Sequence, residues 1–297
     1  MQELKIVKSI VALERAEVLD PIVVKADGFF SKVLRRQGLR DVLHGVPFGH
    51  PLHPVAVQVP TGAFLSAAVL DVLPGGGKAS KVLIAFGVVA ALPAIAAGWA
   101  DWLKLHEQQR RVGIVHAAGN ATAVALYSAS LIQRLRGKEL SGKMLAAAGF
   151  TMLAGAGFLG GHLAYRQAAG ANHVEDVPHL FPQGWQSLGR LDELLDGELS
   201  RMYVAGEPLL VRRTGETVQV LANACSHLSA PLNEGRIIEV DNFDGTAPVA
   251  CVECPWHQSV FSLETGEVVH GPATAPQPRF ETRVNGGMVE VLLPDAG

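Results

Sequence analysis

Cysteine is nearly absent: only Cys225, Cys251 and Cys254 occur in 297 residues, all in the last third. So small, odd and local a set excludes a disulfide framework and points to metal binding. Charge is also scarce, at 18% of residues against about a quarter in an ordinary soluble domain. The formal net charge of −3 provides no basic field, so nucleic acid is not an expected partner. No nucleophile constellation and no phosphate-cradling loop stands out, which leaves no catalytic residue to name. Gly75-Gly76-Gly77 reads only as a turn. The start, Met1 to Lys5, lacks a basic residue followed by a long apolar run, so no cleaved signal peptide is expected. The Arg35-Arg36 pair is followed by Gln-Gly-Leu-Arg-Asp, too polar for the core of a twin-arginine signal.

What the chain has instead is apolar length. Hydrophobic residues make up 48% and concentrate between residues 55 and 165. Four stretches run over 55–73, 82–103, 112–133 and 144–165. Each is close to the roughly 20 residues a helix needs to cross the hydrocarbon core. Together they predict a four-helix transmembrane domain over 55–166 in contact with membrane lipid. Gly157 and Gly161 form a Gly-x-x-x-Gly pair suited to close helix packing. Residues 1–54 carry apolar positions at helical spacing between charges, as amphipathic helices do on a membrane surface or against a bundle. Basic residues flank the spans almost evenly on the two sides. With no signal peptide, both termini are expected in the cytoplasm of a bacterial cell, the chain lying in its cytoplasmic membrane.

From about 167 the pattern changes. A polar linker over 167–183 leads to short runs rich in β-formers: 209–212, 218–221, 249–252, 279–284 and 288–293. Gly, Pro, Asn and Asp punctuate them, which predicts a small all-β domain over 184–297. The fold class is thus α + β and multidomain, a transmembrane bundle followed by a β domain.

Inside the β domain stand Cys225-Ser-His227 and, after 26 intervening residues, Cys254-Pro-Trp-His257. Two thiols and two imidazoles from two loops suit a [2Fe–2S] cluster in which the thiolates hold one iron and the histidines the other. A tetrahedral zinc site on Cys225, His227, Cys251 and Cys254 is the competing reading. Under the cluster reading Cys251 is a small buried strand residue. Over 184–294 the chain resembles the Rieske family. Ser229-Ala-Pro-Leu follows the first pair, Phe261-Ser-Leu-Glu-Thr-Gly266 the second, and Gly271-Pro-Ala is similar to the proline loop covering the cluster.

The resemblance implies that all four residues are cluster ligands. The cytochrome bc type has an extra disulfide, and its positions here are Ala230 and Trp256, so the ferredoxin and oxygenase type is the better likeness. Pulling the other way, Ser259 stands where the bc type places a hydroxyl on a cluster sulfide, but Phe261 replaces the expected tyrosine. A reduction potential in the lower half of the Rieske range follows. Residues 237–248 read as a surface excursion between strands.

The membrane half has histidines at its edge. His50 and His53 lie in Gly49-His-Pro-Leu-His-Pro54; each precedes a proline, so both are expected on an extended segment. His116 opens the third span and His162 closes the fourth, and following the chain up and down places them at one level with Asp101 and His106. Over 40–166 the chain is similar to a family of four-helix bacterial membrane proteins, through Leu43-His-Gly, the motif at 49–54, Gly98-Trp-Ala-Asp-Trp, His116-Ala-Ala-Gly-Asn120 and Gly160-Gly-His162. Ionisable groups at a membrane are candidate functional groups. His50, His53, His116 and His162 are a possible second site for haem b or a quinone; hydrogen-bonded ties between helices are the plainer reading. The function expected is a membrane-bound electron carrier exchanging electrons with redox proteins or quinone. The alternatives are an electron-supplying component of a Rieske-type oxygenase and a redox or iron sensor.

Overall fold

The structure, a computed structural model, describes residues 5–241 and 247–294. It divides into two compact units, one of the residues up to Leu39 with Pro51–Ala169, the other of Arg40–His50 with the residues from Gly170 on. The helices are α1 (Lys5–Glu14), α2 (Asp20–Val33), α3 (Gln37–His44), α4 (Leu52–Ala56), α5 (Gln58–Val72), α6 (Gly77–Trp102), α7 (Glu107–Leu135), α8 (Glu139–Gly161) and α9 (Val177–Leu180).

In the first unit α5 packs on α6, α6 on α7, α7 on α8 and α8 back on α5, which closes a four-helix ring. Among the described residues, three helical runs are long and apolar enough to cross a membrane: Leu52–Val72, Gly77–Trp102 and Glu139–Arg166. The third expected span is a helix too, α7, but its Gln109, Arg110, Arg111, His116, Asn120 and Arg134 keep it outside that group. Arg134, expected among the basic flanks, is instead buried in the last turn of α7 and forks onto Asp71 of α5 at 2.8 and 2.5 Å. Removed from water, the guanidinium requires that carboxylate. The Phe64 and Tyr127 rings stack 3.8 Å apart at the centre of the ring of helices.

Two further expectations change. The close packing of α8 does not run through Gly157 and Gly161, where an added Cβ would meet nothing within 4 Å. It runs through Gly142, Gly149 and Gly160, where a Cβ would collide with Arg134, lie 3.2 Å from Tyr127 and lie 2.9 Å from His116. And His53 is not on an extended segment: Pro51 is extended, but the helix begins at Leu52. Pro54 then falls in the first turn, where its missing N–H costs nothing. The amphipathic N-terminal helices are tied to the ring by Asp20–Arg111 at 2.6 Å, Glu14–His162 at 2.8 Å and Phe30 stacked on Trp99 at 3.8 Å.

The described residues of the second unit form ten strands: β1 (Gln186–Arg190), β2 (Leu199–Val204), β3 (Glu207–Thr214), β4 (Thr217–Ala222), β5 (Arg236–Val240), β6 (Val249–Glu253), β7 (Val260–Ser262), β8 (Val268–His270), β9 (Arg279–Asn285) and β10 (Met288–Leu292). They form a six-stranded sheet, β1-β10-β9-β4-β3-β2, and a four-stranded one, β5-β6-β7-β8. All neighbouring strands run antiparallel. The expected excursion at 237–248 begins as strand: Ile237 to Val240 pair with Val252 to Val249 in β5 and β6. Residues 242–246 of it lie outside the described residues. The expected linker is also structural. Val174, Val177 and Phe181 are buried in the same core as Leu209, Val220, Phe280 and Val291.

Candidate metal centre

Two loops of the four-stranded side carry the ligand candidates: Cys225 and His227 after β4, Cys254 and His257 between β6 and β7. The loops fold alike. The Cys225 N–H donates to the Ala230 carbonyl and the Ser229 N–H to the Cys225 carbonyl, both at 2.8 Å. In the second loop the Cys254 N–H donates to Ser259 at 2.8 Å and the Gln258 N–H to Cys254 at 3.2 Å. Ser229 and Gln258, each four residues past its cysteine, have φ of 60° and 66°. A left-handed non-glycine residue costs about 1–3 kcal/mol, so each turn is held by its surroundings.

The turns bring the groups together. Cys225 and Cys254 are buried and share a hydrogen bond between their side chains. The His227 and His257 rings lie edge to face, centroids 5.0 Å apart and planes at 85°. Within the pair, the shared hydrogen bond lowers the Cys254 thiol to about 7, helped by N–H groups of Trp256, His257 and Gln258 aimed at its sulfur. The Cys225 thiol is pushed well up by its neighbour and by burial, against N–H groups of His227 and Leu228. Backbone donors thus already point at both sulfurs, as thiolate ligands require.

Cys251 is apart from this group. It is buried in β6, and its Sγ donates to the Val249 carbonyl at 3.5 Å. Among the described residues no three His, Cys, Asp or Glu side chains converge as a single ion would need. That geometry disfavours the tetrahedral zinc reading. Two thiols facing each other beside two imidazoles fit a pair of irons that take two ligands each.

A second set of contacts, unread in the sequence, braces the loops. The Ala273 N–H donates to Ser259 Oγ at 3.0 Å, joining the proline loop to the second ligand loop. Ser226 Oγ donates to the Ala275 carbonyl at 2.7 Å. The buried Gln277 amide donates to the Ala224 carbonyl and accepts from the Ser226 N–H. From the expected linker, the His173 N–H donates to the Ser226 carbonyl at 3.0 Å and its ring bonds Ser229 Oγ at 3.1 Å. Only a buried glutamine so near the proline loop could have hinted at this.

Of the four candidate histidines of the membrane half, the three in the first unit each have a partner. His53 and His116 have ring centroids 6.4 Å apart. The His53 ring N–H donates to Ala94 O at 2.8 Å, and that of His116 to Ala156 O at 2.7 Å. The other nitrogen of His116 accepts from Asn120 at 3.2 Å. His162 pairs with Glu14, and His50 belongs to the second unit. The glycines of the two sequence motifs are notches for these rings: a Cβ on Gly98 or Gly160 would lie 2.9 Å from His53 or His116.

Comparison with known proteins agrees with the two units. Residues 184–281 match the Rieske [2Fe-2S] domain, and residues 49–173 match a predicted membrane protein family, DUF2231. The chain is 32% identical over 107 residues to the anthranilate 1,2-dioxygenase ferredoxin subunit of Burkholderia cepacia, covering 36% of this chain and 90% of that one. It is 31% identical over 110 residues to ferredoxin CarAc of Metapseudomonas resinovorans, covering 37% and 94%. Cholesterol 7-desaturase of Caenorhabditis elegans is 32% identical over 100 residues, but the match spans 33% of this chain and only 22% of the desaturase. The chain belongs to the Rieske [2Fe–2S] family, its Rieske domain fused behind a DUF2231 membrane-protein domain.

Proposed function

We propose that the chain is a membrane-bound one-electron carrier whose cluster is held by Cys225 and Cys254 on one iron and by His227 and His257 on the other. The observation that carries this reading is the pair of like-folded loops, which join the two sulfurs and set the two imidazoles 5.0 Å apart. When bound, the cluster supplies a site that takes up and returns one electron. The chain's residues do the rest. Backbone N–H groups hold the thiolate charge, and burial keeps water from the sulfurs. Neutral imidazoles in place of two thiolates leave the centre less negative and easier to reduce. Trp256, beside His257 and 49% exposed, offers a partner an aromatic contact at the ligand edge.

Relatives named as dioxygenase ferredoxin subunits favour an oxygenase-type acceptor or a protein of similar kind over a sensor role. The membrane half is read as four spans, α7 joining the three long apolar runs as the third in chain order. Both termini are read as cytoplasmic, in a bacterial cytoplasmic membrane. A relay to quinone is the second reading. It is favoured by a cleft of about 630 Å³ lined by Ile10, Phe158, His162, Tyr165 and Arg166, where His162 already pairs with Glu14. Haem on His116 would have to displace Asn120. EPR of reduced, detergent-purified protein tests the main reading. A low-average-g rhombic signal is expected, lost in Cys225→Ser and His257→Ala; a signal that survives both substitutions would refute the ligand set.

A further inference from the structure

The segment Arg40–His50 lies outside both matched ranges but for its last two residues. It nevertheless packs within the Rieske unit, against the start of the proline loop. Asp41 is 8% exposed. One of its oxygens accepts the Gly271 N–H at 3.0 Å and the other pairs with His270 Nδ1 at 3.0 Å. His44 is 2% exposed. A Cβ on Gly271 would sit 3.0 Å from Val46 Cγ2 and 3.3 Å from His44, so the loop and the segment are in full contact.

From that contact a hydrogen-bonded path leads to a ligand. Gly271 is two residues from Ala273, whose N–H donates to Ser259 Oγ at 3.0 Å. The Ser259 carbonyl in turn accepts the Cys254 N–H at 2.8 Å. An acidic side chain more than 200 positions earlier in the chain is therefore fixed to the loop that covers the cluster. A carboxylate there adds negative charge near the redox centre and opposes its reduction. It also holds closed a loop that keeps water out, and water exclusion tunes such centres.

We propose that Arg40–His50 is a built-in clamp on the cluster-covering loop, with Asp41 as its positioning residue, and that it sets both the potential and the solvent access of the cluster. The inference rests on the carrier reading above. It also limits which face a partner can use: the clamped proline-loop side is taken, which leaves the Pro255–Trp256 edge.

The test uses full-length protein in detergent with Asp41→Asn and Asp41→Ala, each titrated redox-potentiometrically by EPR and challenged with an iron chelator. Both variants are expected to keep the Rieske signal with midpoints shifted upward. Asp41→Ala, which loses both hydrogen bonds, is expected to release iron at least about tenfold faster than wild type. If the alanine variant does not assemble a cluster, the near-isosteric asparagine variant carries the test. Wild-type midpoint and iron-release rate in Asp41→Asn would overturn the clamp. No Rieske signal in the wild type would instead overturn the carrier reading, and the clamp with it.

Discussion

Cys251 and Cys254 stand three residues apart and do different work. Cys251 is buried in β6, while Cys254 begins a loop whose N–H groups aim at its sulfur. Cys251→Ser is therefore expected to retain the cluster at a cost of about 1–3 kcal/mol for burying a hydroxyl, whereas Cys254→Ser loses it. Iron content per chain measures both. A Cys251→Ser protein with no iron would revive a role for that thiol. At this scale the four ligand candidates were legible, because two thiols and two imidazoles at those spacings suit few other centres. The left-handed turns at Ser229 and Gln258 were not, since neither residue type announces a positive φ. A Gln258→Gly variant relieves that strain at the second turn, and a gain in thermal stability of up to about 1 kcal/mol is expected in calorimetry. The absence of a cysteine at Ala230 and of a tyrosine at Phe261 argues for a midpoint below about +75 mV, the lower half of the family range. A midpoint above about +200 mV would contradict that argument.

Elements explain where the sequence reading fell short. Residues 170–183 look like a linker because polar residues and prolines surround three apolar ones. Yet Val174, Val177 and Phe181 fill the β core, and His173 braces the first ligand loop. Polarity along the chain reports average exposure, whereas a single side of a short segment can still be core. Phe181→Ala is expected to destabilise the Rieske unit by about 3–5 kcal/mol, measured by thermal loss of the cluster absorption. A change under about 1 kcal/mol would show that the segment is not core. In the membrane half, the period of α7 is plain in the sequence but the partners of its charges are not. Arg134 reads as a flank because it follows the apolar run, while in three dimensions Asp71 waits on α5. Asp71→Ala leaves that guanidinium buried without its carboxylate and is expected to cost about 3–5 kcal/mol. The detergent melting temperature checks it; an unchanged value would mean the pair contributes nothing.

At the scale of the whole molecule, a domain of the ferredoxin kind and a membrane domain share one chain. Both were legible, one from apolar length and the other from four residues and their flanking motifs. The contact of Arg40–His50 with the β unit was not legible, because no local pattern records a partner so distant in sequence. On the proposed reading, the fusion gives the carrier an address at a membrane. The most direct test is an EPR-monitored redox titration of the full-length protein extracted from membranes, prepared anaerobically with iron supplied. The account predicts a reversible one-electron signal of low average g, present in the membrane fraction and abolished by replacing His227. Protein that holds no such signal under these conditions, or holds zinc in its place, would contradict it.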